Sequence, residues 1–248
     1  MIEIKNLSKE YVKDLGFKTI LLDKISFSIS SDKIISVIGP VGSGKSTLLK
    51  IIAGLEKQTS GEVHHRTDQK IIFIPAQPSS FPWLNVSKNI SFGLQQINGD
   101  EIKRLINLVG LEGYDTFHPD NKTYGFRLRI SLARSLAHKP SLIVLDEPFN
   151  QMDVTTKMEI LVLIRNINKT QKTAFLLATS NITEALFLSD VIYLMKKNPC
   201  EIFSKIEVNL PDKRDESIMD SEKFTHLRLL IENSFQQIES QKLFRITI

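Results

Sequence analysis

Cysteine is nearly absent from this chain: Cys200 stands alone among 248 residues. A single thiol excludes an intrachain disulfide and supplies no cysteine metal cluster. The five histidines (His64, His65, His118, His138, His226) show no ligand spacing and read as surface or structural residues. Long apolar runs are missing as well; none approaches the ~20 residues needed to cross a bilayer as a helix. The opening residues, Met1-Ile2-Glu3-Ile4-Lys5, do not read as a signal peptide. Together these absences predict a cytosolic chain that reaches a membrane only through a partner. Charge of one sign is scarce too. Lys and Arg number 32 against 28 Asp and Glu, a net charge of +4. So small and dispersed an excess argues only weakly for nucleic acid or an anionic surface. Lys196-Lys197 and Lys213-Arg214 read as solvated surface. What remains is an ordinary globular composition, 42% hydrophobic and 24% charged. The length allows a full core, in one large domain or one with a smaller insert.

The most specific stretch present is Gly39-Pro40-Val41-Gly42-Ser43-Gly44-Lys45-Ser46. A glycine, four free positions and then Gly-Lys-Ser is the spacing of a phosphate-binding loop. It follows a strand-like run, Ile34 to Ile38, and opens a helix-like run, Thr47 to Leu55. That context separates it from a chance glycine-rich turn. Glycines let backbone N–H groups close around a polyphosphate, and the helix start adds a positive dipole end. Lys45 reaches the terminal phosphates and Ser46 holds Mg²⁺ through its hydroxyl. Residues Gly39 through Thr47 are therefore the predicted nucleotide-binding segment, with a nucleoside triphosphate and Mg²⁺ as ligands.

Residues 1–30 alternate apolar and polar side chains, as half-buried strands do. Buried strands are predicted at Lys33–Ile38, Lys70–Ile74 and Ser141–Leu145, with helical patterns at 86–96, 100–109 and 126–137 between the last two. Further on come a helix at 154–168, a strand at 173–178, a short helix at 182–188 and a strand at 190–195, with one more strand possible in 199–208. Strands alternating with helices imply a parallel sheet covered on both faces. An amphipathic helix is predicted at 221–239.

Leu142-Ile143-Val144-Leu145-Asp146-Glu147 is an apolar strand ending in two carboxylates. Asp146, at its tip, can orient Mg²⁺ through the water shell, and Glu147 can polarise an attacking water. A solvated acidic pair is the bland alternative; the phosphate loop argues against it, because such an enzyme needs this carboxylate.

The phosphate loop, the helical insert and Leu145-Asp146-Glu147-Pro148 resemble the ATP-binding subunits of ABC transporters, over nearly the whole chain. The finer resemblance is to importers of the nitrate/sulfonate/taurine type, which also include thiamine precursors among their substrates. It rests on Phe81-Pro82-Trp83-Leu84, on Asn181-Ile182-Thr183-Glu184-Ala185-Leu186, and on the C-terminal stretch from Ser221 to Ile231. The implied fold is a P-loop NTPase: a RecA-like parallel-sheet core with an N-terminal antiparallel part, a helical insert and a C-terminal helical extension. The implied division is 1–77 with 140–208 as core, 78–139 as helical subdomain and 209–248 as extension.

Residue by residue, Gln77 matches the Q-loop glutamine, which touches Mg²⁺ and water and links the ATP site to the insert. Tyr11 matches the aromatic that stacks on adenine, with Phe17 as rival and a core tyrosine as the plain alternative. Trp83 lies where the insert meets a membrane subunit; packing inside the insert is its alternative. Asp153 matches the D-loop residue at the dimer interface.

Two departures stand out. The signature loop, Leu-Ser-Gly-Gly-Gln/Met in the family, aligns with Lys122-Thr123-Tyr124-Gly125-Phe126. Thr123 keeps a hydroxyl and Gly125 survives, but Tyr124 replaces a glycine. Its side chain is expected to hinder close approach to phosphate and to exclude glycine-only backbone angles. The family's H-loop histidine is replaced by Ser180, a shorter and uncharged donor. Losing one placed transition-state donor typically costs about 10² to 10³ in rate. The resemblance thus implies a slow transport ATPase that couples ATP-driven dimer closure to import of a small solute, anionic or thiamine-precursor-like. The alternative is a regulatory or structural subunit with little hydrolysis. Implied partners are a membrane permease, a second ATPase subunit (a heteromer being favoured by the two losses) and, indirectly, a solute-binding protein, but no nucleic acid. The implied location is peripheral, on the cytoplasmic membrane face. A soluble ABC ATPase acting on DNA would carry coiled coils or zinc modules, and neither is visible.

Overall fold

The computed structural model describes residues 1–12, 18–77, 79–120 and 122–246, with side chains through residue 240. Phe17, the rival to Tyr11, and Pro78, the first residue of the expected insert, lie outside the described residues.

The alternating start of the chain forms strands β1 (Ile2–Val12) and β2 (Lys18–Ile29), paired antiparallel. A third strand, β4 (Ser60–His64), adds to the other side of β1 and completes a three-stranded sheet. The sequence reading did not contain β4. It is a polar edge strand, and its Gly61 reads as a turn residue. Here that glycine serves close approach: a Cβ on it would lie 2.2 Å from the Asn6 carbonyl oxygen.

The predicted apolar runs form the larger sheet: β3 (Ile34–Ile38), β5 (Ile71–Ile74), β6 (Leu142–Asp146), β7 (Ala174–Thr179), β8 (Val191–Met195) and β9 (Ile202–Glu207). Across the sheet they run β5-β6-β7-β3-β8-β9, parallel throughout except for β9. Strand periodicity divides their side chains between two layers. Leu142 and Val144 join the core that holds Leu48, Leu49, Ile51 and Ile52 of helix α1 (Lys45–Ile52) and the antiparallel sheet. Ile143 and Leu145 join the opposite core. That core also contains α4 (Tyr124–Ala137), through Leu128 and Leu132, and α5 (Val154–Gln171), through Ile160 and Ile164. Each such fully buried side chain contributes about 1.5–3 kcal/mol; a one-residue slip of β6 would exchange its two apolar faces, set differently shaped side chains into each layer and displace Asp146 from the strand tip.

Helices α2 (Val86–Ser91) and α3 (Gly99–Leu108) precede α4. The pattern read as 86–96 ends at Ser91, where Phe92 leaves helical angles and Gly93 turns with φ 82. Helix α6 (Ile182–Leu188) follows β7 as expected, and α7 (Glu222–Ile246) runs past the predicted end at 239. Phe224, Leu227 and Ile231 of α7 pack against Leu186, Leu194 and Ile206, so its apolar stripe is seated on the chain's own body.

Arg214 corrects the surface reading. It is 5% exposed, and its Nη1 donates to the carbonyls of Leu186, Phe187 and Ser189 at 2.9, 2.8 and 3.0 Å. It closes the C-terminal end of α6. Desolvation is the main cause that brings its pKa down to about 10.

Candidate functional site

The loop after β3 turns on a Ser43 N–H to Pro40 carbonyl bond of 3.1 Å and leads into α1 through Gly44, in the left-handed region at φ 74. No side chain caps α1. Helices α2 to α6 differ: Asn85, Asn98, Thr123, Asp153 and Asn181 each cap their own helix. An uncapped start leaves backbone N–H donors directed at whatever lies beyond it. Ser43 is buried, and its hydroxyl finds no hydrogen-bond partner among the described residues. An orphaned buried hydroxyl beside bare amide donors suits a polyphosphate. Gly39 is buried, Pro40 half-buried, and Val41 and Gly42 are exposed on the loop's outer side.

Lys45 is buried within this loop. Its Nζ donates to the Gly39 and Pro40 carbonyls at 2.8 and 3.4 Å and lies 3.3 Å from Glu147 Oε1. Next to it, Ser46 Oγ donates to Asp146 Oδ1 at 2.9 Å. The tip of β6 is thus tied to the start of α1. Burial is the main cause that pushes the Asp146 carboxyl above the usual carboxylate range; the Ser46 hydroxyl opposes it and the Glu147 charge adds to it. A cation at this position would favour the ionised form. Hydroxyl and carboxylate oxygens suit Mg²⁺, which takes few protein ligands beside waters and phosphates.

Glu147 sits just past β6 with φ 43, uncommon for a residue with a side chain and frequent at functional positions. Its backbone N–H donates to the Ala178 carbonyl at 2.9 Å. Its Oε2 accepts from the Ser180 backbone N–H at 3.3 Å. The exposed Ser180 therefore meets Glu147 through its main chain, in the loop after β7, the strand between β6 and β3. Gln77 lies exposed beyond the end of β5, on the same edge of the sheet.

Tyr11 is 42% exposed rather than a core tyrosine. Its hydroxyl donates to Glu56 Oε1 at 2.6 Å, and its ring lies under Lys9 Nζ, 5.0 Å from the centroid. Bonding to Glu56 is the main cause that raises the phenol pKa, and the nearby Thr47 hydroxyl acts against it. The ring thus stands by the start of α1.

The signature-like residues lie at the start of α4. Thr123 is the N-cap, accepting from the Phe126 N–H at 3.3 Å. Tyr124 begins the helix, half-buried, and is not among the residues with positive φ. The expected backbone conflict at Tyr124 is therefore absent, because an ordinary helical position needs no glycine. Gly125 is where glycine is needed: a Cβ there would lie 2.3 Å from Thr156 Cγ2, on the neighbouring α5. Asp153 caps α5 and is exposed; bonds to Thr156 hold its carboxyl below its usual range.

Trp83 is 69% exposed, not packed inside the helical insert. Its ring contacts Phe81 at 5.3 Å, and Phe81 contacts Phe92 at 4.5 Å and Arg134 at 4.7 Å. A cavity of about 530 Å³ opens beside them, lined by β5 and by Phe92, Arg134 and His138. Arg134 Nη1 is buried there without a hydrogen-bond partner among the described residues. Sequence reading did not foresee the burial of this arginine, or of Glu184 in α6, because burial of a charge leaves no mark in local spacing.

Comparison with known proteins gives a consistent result. The family model described as ABC transporter matches residues 22–150. The aliphatic sulfonates import ATP-binding protein of Bacillus thuringiensis subsp. konkukian is 34% identical, with 100% of this chain and 99% of that protein covered. The nitrate import ATP-binding protein of Synechocystis is 31% identical, with 85% of this chain and 83% of that protein covered. Among solved structures, the dimeric post-hydrolysis state of the ATP-binding cassette MJ0796 bound to ADP and Pi superposes with a TM-score of 0.72 at 25% identity, covering 85% of this chain and 100% of that one.

Proposed function

Because the chain belongs to the ABC transporter family, as an ATP-binding subunit, we propose that it drives import of a small anionic solute by ATP-dependent closure of a dimer. It is a transport ATPase that uses ATP with Mg²⁺ and works with a membrane permease. The sulfonate and nitrate in its relatives' names support an anionic cargo over a thiamine precursor.

One observation carries the reading. Lys45, Ser46, Asp146 and Glu147 form two adjoining polar pairs at an uncapped helix start. The backbone of Gly39 to Gly44, with Ser43, Lys45 and Thr47, holds the phosphates; Tyr11 stacks on the adenine. Ser46 and Asp146 hold Mg²⁺, assisted by Gln77. When bound, Mg²⁺ neutralises charge on the phosphoryl oxygens. Lys45 exchanges Glu147 for phosphate, which releases the Glu147 carboxylate to polarise water. Ser180 orients Glu147 through its backbone N–H, and its short side chain leaves turnover slow.

The remaining residues serve contacts with other subunits. Thr123, Tyr124, Gly125 and Asp153 meet a second ATPase subunit. Trp83, on its aromatic cluster, anchors the permease, and residues 78–139 act as the arm between core (1–77, 140–208) and membrane, with 209–248 as an extension. Attachment is peripheral, on the cytoplasmic face; among the described residues no helix is long and apolar enough to cross a membrane. The missing histidine and altered signature favour pairing with a different ATPase, and a solute-binding protein feeds the permease. Intact-complex mass tests the pairing: two identical copies of this chain would contradict it. Phosphate release by the chain with and without its permease tests the function. Stimulation by the permease, lost in Glu147→Gln, is the expected result; no release in either state would contradict it.

A further inference from the structure

Glu184 is 4% exposed, yet the chemistry proposed for the nucleotide site gives it no role. Both its oxygens are engaged. Oε1 pairs with Lys157 Nζ at 2.8 Å, and Oε2 accepts from Thr179 Oγ1 at 2.7 Å. Thr179 is fully buried, and its hydroxyl has one proton. Donating that proton to Glu184 leaves lone pairs free, and one accepts the Asn181 N–H at 3.1 Å. Asn181 Oδ1 in turn accepts the Glu184 N–H at 3.1 Å. Ser180 lies between the two residues so fixed, and its N–H meets Glu147 Oε2 at 3.3 Å. On the other side, Lys157 belongs to the first turn of α5, and its N–H donates to the carbonyl of Asp153.

We infer that Lys157 and Glu184 are positioning residues for the hydrolytic step, holding the Ser180 N–H on the Glu147 carboxylate. The inference rests on the reading of Glu147 as general base. Lys157 fixes the Glu184 carboxylate, the carboxylate fixes the direction of the Thr179 hydroxyl, and that hydroxyl sets the backbone of the loop at 180–181. In this chain the main-chain N–H of Ser180 is the donor that addresses Glu147, so its placement matters whatever the side chain contributes. A charged pair suits such positioning, because one misplaced oxygen leaves a buried polar group unsatisfied and makes the arrangement close to all-or-none. The same pair ties the loop to the helix that Asp153 caps, so movement of α5 is passed directly to the group beside Glu147.

The test is steady-state phosphate release by the chain in its transport complex, resolving kcat from KM for MgATP. Lys157→Met and Glu184→Gln are each expected to lower kcat by about 10- to 100-fold with KM changed by less than about twofold. Lys157→Arg restores most of the rate. Glu184→Gln added to Glu147→Gln costs nothing further, because it acts through the same carboxylate. Should Lys157→Met, which leaves the buried Glu184 carboxylate unpaired, fail to fold, Glu184→Gln carries the test alone, since it removes the buried charge itself and leaves only the more exposed Lys157. Unchanged kcat, a KM that rises in step with the loss, or no recovery with Lys157→Arg would each overturn the inference. Full turnover in Glu147→Gln would instead overturn the reading of Glu147. A dead Glu147→Gln beside fully active Lys157→Met and Glu184→Gln would sink the positioning role alone.

Discussion

The two sides of the nucleotide site are built differently. At the phosphate loop, Lys45, Ser46, Asp146 and Glu147 find their partners in one another. At the outward loops, Thr123, Ser180, Asp153 and Trp83 are exposed, and the bonds they make there are local caps and backbone contacts. The inner side is completed within one chain; on the outer side only Ser180 reaches back to it, through Glu147, and under the proposed function Thr123, Asp153 and Trp83 meet their counterparts across an interface. The difference bears on the two departures from the family pattern as well. Tyr124 occupies an unstrained helical position, so it puts no strain on this chain's own backbone. Ser180 touches Glu147 within this chain, through its backbone N–H.

Single substitutions can strain either side of that comparison. Glu147→Gln has the largest expected effect, a fall in single-turnover phosphate release of about 10² to 10⁴ with MgATP binding retained; an unchanged rate would move the chemistry elsewhere. Ser180→His comes next, with turnover rising by about 10- to 100-fold; a flat or lower rate would show that the side chain at this position does not limit catalysis. Gly125→Ala is expected to destabilise the isolated chain by about 1–3 kcal/mol in urea melts, because its methyl meets Thr156. Tyr124→Gly, one position earlier, costs only about 1 kcal/mol or less. Equal losses in the two would contradict their separate placement. Trp83→Ala is the smallest on the isolated chain, under about 0.5 kcal/mol for an exposed side chain, while co-purification with the permease weakens. A large stability loss would return Trp83 to the interior.

The inner side was legible in the sequence because its rules are local. Eight consecutive residues specify the loop, and Asp146-Glu147 follows an apolar run that only a buried strand explains. The parallel sheet followed from the same alternation of runs; its strand order did not. Strand β4 was not legible: Gly61 is required by the nearby Asn6 carbonyl, a contact between segments far apart in the chain. Arg214 escaped the sequence reading for a related reason. Its charge is buried against the carbonyl end of α6, and nothing in Lys213-Arg214 marks which of the two turns inward. Glu184 enters the sequence reading only within a family stretch, although its place three residues after Asn181 carries a capping signal; its ion pair with Lys157 exists only in three dimensions. The sequence leaves Trp83 between two readings, and its exposure decides against core packing.

Calorimetric titration of the folded chain with MgATP, beside Lys45→Ala, tests the central claim most directly. The account predicts saturable binding to the unmodified chain and affinity lower by about 30-fold or more in Lys45→Ala, the cost of truncating one partner of a buried charge pair. No uptake by well-folded unmodified chain, or equal affinity in Lys45→Ala, would contradict it.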